Sequence, residues 1–337
     1  MSDTQQNSIY TQRRFYFMTL DPVHVGTGGY RLGRVDMTVA REPGTSLPKI
    51  PGTSLAGAAR SYAAMFYGKL EAAGQHKGLA KLAQEDKRKC PILYTFGSPT
   101  ETGGGLAGCV SIGDARLLFF PVHSMAGPVW VSTPELVIEA LGANSLTPPQ
   151  RNGEAFGPTD KGEAVTSLLN WDKPLNLGWL LLDVKSGMQI TPSEQIDGWQ
   201  EINNRIVLVT PKLLSQIVNS NLEVRTSVSI DAMTGAAEKG ALFTYEAIPR
   251  AAWLFCDVIE DDYPRFVGMT FPKTDKQAKR EANGFTDNAG DPLSKKWERP
   301  LDVVATGLEI AEFLGVGGMG TRGFGRIKTT GQRQVTR

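Results

Sequence analysis

Apolar and polar positions alternate along this chain in a way that predicts strands more often than helices. Phe15–Leu20 (FYFMTL) is rich in aromatic strand formers and is ended by Asp21-Pro22. A glycine-rich loop, VGTGGYRLGRVD, leads from it into a second extended stretch around Asp36–Arg41. The five residues Pro43-Gly-Thr-Ser-Leu47 then recur as Pro51–Leu55. The first copy reads as a tight turn in a hairpin. The second runs into a helix with Leu55, Ala58, Ala59, Tyr62 and Phe66 on one face and Thr53 or Ser54 as N-cap. Residues 70–92 are charged and interrupted by glycine, which fits a surface helix or loop.

Ala107–Phe120 alternates and then becomes continuously apolar, predicting a buried strand or hairpin with Gly113-Asp114 at its turn. Pro121–Ser132 reads as another extended piece. Further strands are predicted at Trp179–Val184, Arg205–Val209 and Ala251–Val258, with a helix around Val303–Phe313. Residues 1–12 read as a frayed tail. Two stretches, 142–174 and 261–299, are rich in turn formers or charge and poor in aliphatics, as functional insertions often are. Many strands, few helices and two long insertions give an α+β domain.

Composition narrows the function more by exclusion than by assertion. The chain has 337 residues, 41% of them hydrophobic, enough for a large core. Lys and Arg total 36 against 35 Asp and Glu, so no global basic signal marks a nucleic-acid binder. The distribution says more: Gly317–Arg337 carries Arg322, Arg326, Lys328, Arg333 and Arg337 with no acidic residue. Residues 30–62 hold Arg31, Arg34, Arg41, Lys49 and Arg60 against Asp36 and Glu42. Basic loops interleaved with glycine and an aromatic, here Phe324, suit an RNA backbone, although a solvated glycine-rich surface has the same composition. Cys90, Cys109 and Cys256 are odd in number and far apart, which argues against disulfides and zinc knuckles. With no signal peptide and no long apolar run, the chain is expected to be soluble, cytoplasmic and free of the membrane.

Glycine-rich Gly315–Gly325 lacks the Gly-Lys-Ser/Thr of a P-loop, and no H-E-x-x-H or G-x-S-x-G is present. The histidines, His24, His76 and His123, are unpaired at metal-ligand spacing. His24 precedes the first glycine loop, so it is either close to a ligand or a packed loop histidine. Asp36 follows Arg31 and Arg34, whose charges would keep it ionised. That suits metal binding or the orientation of an attacking hydroxyl, and equally a salt bridge. Glu246 in FTYEAIP is a weaker candidate, explained by a strand edge before a proline, and Asp114 reads as a turn residue.

Taken together, LDPVHVGTGGYRLGRVDMTVAREPGTSLPKIPGTSLAGAARSY resembles the N-terminal block of RAMP-superfamily CRISPR backbone subunits. That block has a His-x-Gly-x-Gly loop, an Asp after a variable loop, and a Pro-Gly-Ser/Thr-Ser-Leu turn opening a helix. FGSPTE with VSIGDARLLFFPVHSMAGPVWVSTP is most similar to the backbone subunit of the type III-B (Cmr) complex usually numbered fourth. GVGGMGTRGFGRI is similar to the superfamily's C-terminal glycine-rich loop. The resemblance covers about half the chain. It departs at Ala56, where the family often has Lys, at His123–Gly127, and at Arg322-Gly-Phe-Gly, which is closer to type III-A or III-D relatives.

The resemblance implies a single domain over 1–337: a modified RRM (ferredoxin-like) core with large insertions, including a thumb-like β-hairpin. Its parts would be 13–135 and 300–330 for the core, 142–174 as candidate thumb and 261–299 as a charged insertion. It implies a subunit that binds CRISPR RNA, stacks with copies of itself into a filament, and joins other type III effector subunits including the large polymerase/cyclase-like one. Complementary target RNA would be cut at regular intervals, with Asp36 as catalytic residue and ligand of Mg²⁺ or another divalent cation. His24, Gly26, Gly28, Arg31, Arg34, Ser54, Arg60, Arg322, Gly323, Phe324 and Arg326 would contact RNA. The alternatives are an architectural RNA-binding subunit with Asp36 as an ion-pair partner, and a metal-independent guide-processing endonuclease using His24 as general base.

Overall fold

The computed structural model describes residues 10–27, 35–74, 87–98, 105–237, 242–266, 268, 270–272 and 297–335. Its main sheet runs β10 (Leu175–Leu177), β11 (Leu180–Lys185), β9 (Glu163–Thr166), β13 (Ile206–Leu208), β5 (Gly127–Ser132), β4 (Ala115–Ser124), β16 (Trp253–Glu260), β1 (Thr11–Thr19) and β17 (Ile327–Val335). Short β2 (Lys49–Ile50) pairs with β4, and β3 (Val110–Ile112) with β16. Three smaller pairs stand apart: β6 (Leu146–Thr147) with β12 (Gln189–Ile190), β7 (Gln150–Arg151) with β8 (Glu154–Ala155), and β14 (Glu223–Ser227) with β15 (Phe243–Ala247).

The antiparallel centre β4-β16-β1-β17 has a definite connectivity. Helix α1 (Gly52–Tyr67) follows β1, and the long helix before β17, Pro300–Leu314, follows β16. Both pack on one face of the sheet, where Phe15 and Phe17 of β1 meet Leu55 and Ala59 of α1 and Leu301, Val304 and Leu308 of the later helix. The helices cross closely at Gly307, where any Cβ would overlap the Ala59 carbonyl. Tyr16, one residue out of step on β1, points to the opposite face with Phe119, Trp253 and Phe255. That face is covered by α2 (Pro134–Leu141), whose Ala140 carbonyl accepts the Tyr16 hydroxyl at 2.7 Å. With α2 so defined, Pro211–Ser220 is α3 and Pro300–Leu314 is α4.

The repeated pentapeptide takes two conformations. In the first copy Ser46 adopts φ 58° and its N–H reaches the Glu42 carbonyl at 2.9 Å, a turn braced by Ser215 and Asn219 of α3. The second opens α1 as expected, but neither Thr53 nor Ser54 caps it. The helix starts at Gly52, whose N–H donates to Asp114 Oδ1 at 2.8 Å, so a carboxylate 62 residues away replaces the local cap. Asp114 is therefore more than a turn residue, since its Oδ2 also takes Lys49 at 2.5 Å. Gly113-Asp114 does not turn a hairpin either: β3 and β4 both run along the same edge of β16, and Gly113 N–H bonds the Asp257 carbonyl at 2.9 Å.

Segment 142–174 is not one loop. It holds the exposed hairpin β7–β8 with Asn152 and Gly153 at positive φ, and it sends β9 into the main sheet. Most of 261–299, with its basic run Lys273–Arg280, lies outside the described residues. No helix among the described residues is long and apolar enough to cross a membrane.

Candidate functional site

Three consecutive residues of β15, Thr244, Tyr245 and Glu246, gather the chemistry that the sequence scatters over 300 positions. Asp36 lies beside Thr244, whose backbone N–H donates to Oδ2 at 2.7 Å and whose hydroxyl donates to the same oxygen at 2.9 Å. The Asp36 N–H in turn donates to Thr244 Oγ1 at 3.1 Å. Flanking backbone bonds, Met37 N–H to Thr244 O at 3.1 Å and Glu246 N–H to Met37 O at 3.0 Å, fix the register. Thr244's N–H, and then its hydroxyl, hold the Asp36 carboxyl below the usual carboxylate range. The ionised state expected from neighbouring arginines is thus secured by a threonine. Among the described residues nothing hydrogen-bonds Oδ1.

His24 is buried, with its Nδ1 2.6 Å from the Glu246 carbonyl and its ring edge-on to Tyr245. Facing a carbonyl oxygen, Nδ1 carries the proton as donor. Gly26 sits so close that a Cβ would lie 3.1 Å from His24 Nε2. The Glu246 carboxylate is occupied internally: Arg41 donates to it at 2.7 Å while also bonding Asn219 of α3 at 3.0 Å. This partly buried pair explains Glu246 better than a strand edge does.

The glycine-rich loop closes the site from the C-terminal side. Gly318 N–H donates to the His24 carbonyl at 3.0 Å and Gly325 N–H to the Pro22 carbonyl at 2.9 Å. Gly317, at φ 91°, would place a Cβ 2.5 Å from the His24 carbonyl oxygen, so only glycine fits there. These glycines serve close packing of two loops. Arg322 lies over the Phe243 ring and donates to Ser227 Oγ at 3.1 Å, tying the loop to both strands of the β14–β15 hairpin. Arg225 of β14, which the sequence reading missed, lies over the Phe324 ring at 4.7 Å.

Several expected contacts change role. Phe324 is buried against Tyr245, with Arg225 on its ring, so it packs the hairpin base and offers no open stacking face. Arg326 is held by Asp21 through two bonds of 2.5 and 3.0 Å. Arg60 turns inward from α1 to the Ala72 carbonyl at 2.8 Å, where burial pulls its pKa down. Ser54 lies in the first turn of α1, two residues after the Gly52 that Asp114 holds. Gly323, at φ 78°, stays beside Arg322 in the loop. Gly28, Arg31 and Arg34 lie outside the described residues. All three cysteines are buried, and burial pushes the Cys109 and Cys256 thiols up, away from the reactive thiolate.

Beyond the Asp36 loop, the hairpin carries exposed apolar side chains at Val228, Ile230, Met233 and Leu242. Asp36, whose Oδ1 no described residue bonds, and Arg322, which no described acidic side chain pairs, thus both contact β15, through Thr244 and Phe243. No group of three or more His, Cys, Asp or Glu that could cage a metal occurs among the described residues. Asp36 still fits a hard cation of the Mg²⁺ type, which binds through one or two carboxylates and completes its shell with water and substrate phosphates.

A family model described as the RAMP superfamily matches residues 16–328. The CRISPR system Cmr endoribonuclease Cmr4 of Pyrococcus furiosus is 31% identical over 241 residues, which is 68% of this chain and 75% of that protein. Among solved structures, a type III-B Cmr-beta complex bound to cognate target RNA contains a chain that matches with a TM-score of 0.58 at 16% identity, covering 95% of this chain and 96% of that one. Oligomeric Cmr4 from Pyrococcus furiosus matches with a TM-score of 0.53 at 20% identity, covering 97% and 99%. At those identities the structural matches bear on the fold alone.

Proposed function

The chain belongs to the RAMP superfamily, and from that premise we propose that it is a guide-RNA-binding backbone subunit of a type III CRISPR effector that cuts complementary RNA through Asp36. Its 31% identical relative is named an endoribonuclease of the Cmr system, and a structural relative comes from a complex bound to target RNA. The succession β1, α1, β4, β16, α4 and β17, picked out of the longer element order, supports the reading of a ferredoxin-like, RRM-type core. On this reading 13–135 and 300–330 supply most of that core, and β16 completes it. The β14–β15 hairpin, which touches Asp36 directly, is the better thumb than 142–174. Stacked copies of such a subunit would line up their hairpins along a guide–target duplex and displace one nucleotide at each.

The observation that carries the reading is the half-buried Asp36, held below the usual carboxylate range, with Oδ2 clamped by Thr244 and no described residue on Oδ1. RNA supplies its own nucleophile, the 2′-hydroxyl, once a displaced nucleotide lets it reach the in-line position behind its phosphate. On this reading Asp36 Oδ1 would orient that hydroxyl or accept its proton. Asp36 is also the residue that would hold Mg²⁺ or another divalent cation, which, when bound, would neutralise charge on the phosphate. Arg322, which no described acidic side chain pairs, would bind backbone phosphate.

A second reading rests on the same bond: Asp36 could be a strap holding the hairpin to the core, leaving the subunit architectural. The two separate in an assembled complex given labelled complementary RNA and Mg²⁺. Asp36→Ala abolishes regularly spaced cuts and leaves target affinity intact under the first reading. Under the second, the wild-type complex binds target and never cuts it.

A further inference from the structure

We propose that Thr244 is a positioning residue for cleavage: it clamps one oxygen of Asp36 so that the other is presented to RNA in a single orientation. This rests on the reading of Asp36 above and adds a residue that neither the sequence patterns nor the resemblance singled out.

A carboxylate on a loop can rotate about χ2, which leaves its two oxygens interchangeable. Here they are not. Two donors from one residue, N–H at 2.7 Å and hydroxyl at 2.9 Å, converge on Oδ2. The hydroxyl works in both senses, donating its proton to Oδ2 while Oγ1 accepts the Asp36 N–H at 3.1 Å. Thr244 is β-branched and half-buried in a strand, so its own χ1 is stiff and the clamp is rigid. Holding a reacting group in one orientation removes rotational freedom before the reaction begins. Thr244 also belongs to β15, so the seat of the hairpin and the direction of Oδ1 are set by one residue. A hairpin lifted from the core would release the carboxylate, which ties cutting to a correctly placed hairpin.

The test compares Thr244→Val with Thr244→Ser in the assembled complex with guide RNA. Valine keeps the shape and the backbone N–H bond but loses both hydroxyl bonds; serine restores them. Single-turnover cleavage at saturating target should fall about tenfold in Thr244→Val and return to within about twofold of wild type in Thr244→Ser, as loss of one hydrogen bond to a charged group implies. Target affinity and melting temperature should stay at wild-type values in both. Wild-type cleavage in Thr244→Val overturns the proposal, as does equal loss in both variants. So does a Thr244→Val complex that loses target affinity or melting temperature in proportion to its activity, since the residue is then structural. Asp36→Ala run alongside keeps the two claims apart. If it cuts normally, the cleavage reading itself fails; if it is dead while Thr244→Val is normal, only the role of Thr244 fails.

Discussion

Asp36 and Asp114 are both aspartates at the end of a glycine-containing loop, and both are held below the usual carboxylate range, yet the protein uses them in opposite ways. At Asp114 both oxygens are occupied: Oδ1 by the Gly52 N–H that opens α1, and Oδ2 by the Lys49 ammonium. At Asp36 both donors land on Oδ2, and no described residue reaches Oδ1. A carboxylate with a partner from the chain on each oxygen is bound into the fold from both sides. One held through a single oxygen is fixed in place, and no described residue takes its other oxygen. The depressed pKa is common to both and does not separate them; the distribution of partners over the two oxygens does.

The largest expected effect tests that distinction directly. Asp36→Asn, which keeps the shape and removes the charge, should slow target cleavage by about 100-fold or more, the scale at which acid–base groups act. Its melting temperature should move little. Asp114→Asn should cut at the wild-type rate and melt lower. Equal cleavage loss in both variants would erase the comparison.

Next comes the carboxylate that organises the site without being open. Glu246 is 12% exposed at its side chain and paired with Arg41 at 2.7 Å. Glu246→Gln leaves Arg41 partly buried without its counter-charge, which should cost about 2 kcal/mol in chemical denaturation. The Arg41–Asn219 contact to α3 should loosen with it.

The fold was largely legible along the chain, the site only in part. Phe15–Leu20, Ala251–Val258 and Val303–Phe313 lie within β1 and its first following residue, β16 and its approach, and α4, because alternation and helical period are local signals. The cap of α1 was not legible, since the sequence offered Thr53 and Ser54 while the structure brings Asp114 from 62 positions away. The same limit hid the organising role of β15. FTYEA alternates as a strand should, but nothing local says that Thr244 meets Asp36, Tyr245 meets His24 and Glu246 meets Arg41. Phe324 misled for a related reason: an aromatic among glycines and arginines is a stacking platform or a core residue depending on whether another strand covers it, and Tyr245 does.

A smaller effect separates the stability of the two aspartates by pH. Burial pushes the Asp114 carboxyl up, but Lys49 and the Gly52 N–H outweigh it and hold the group below the usual range. Lower in the folded than in the unfolded chain, it contributes stability above the ordinary carboxylate value that is lost as pH falls through the folded one. The side chain is 39% exposed, so solvent screens the lysine pair and the helix cap carries most of the effect. Asp114→Asn should therefore cost about 1 kcal/mol at neutral pH, and its deficit should shrink in melts taken toward pH 3.

The smallest effect extends the rule from carboxylates to arginines. Arg322 and Arg326 lie four residues apart in an acid-free stretch and look equivalent in sequence. Arg326 is gripped by both oxygens of Asp21, and that bond raises its pKa, so its charge is already balanced within the chain. Among the described residues Arg322 has the Phe243 ring and the Ser227 hydroxyl against it, neither of which cancels its charge. A phosphate bound by Arg322 releases a counterion, whereas one near Arg326 meets a neutral pair. Arg322→Ala should weaken RNA binding by the assembled complex a few-fold and lower the slope of log affinity against log salt by about 0.7 per subunit contact. Arg326→Ala should leave that slope where it was. If the two slopes move together, pairing within the chain does not decide which cations RNA can use, and the contrast drawn from Asp36 and Asp114 stops at the carboxylates.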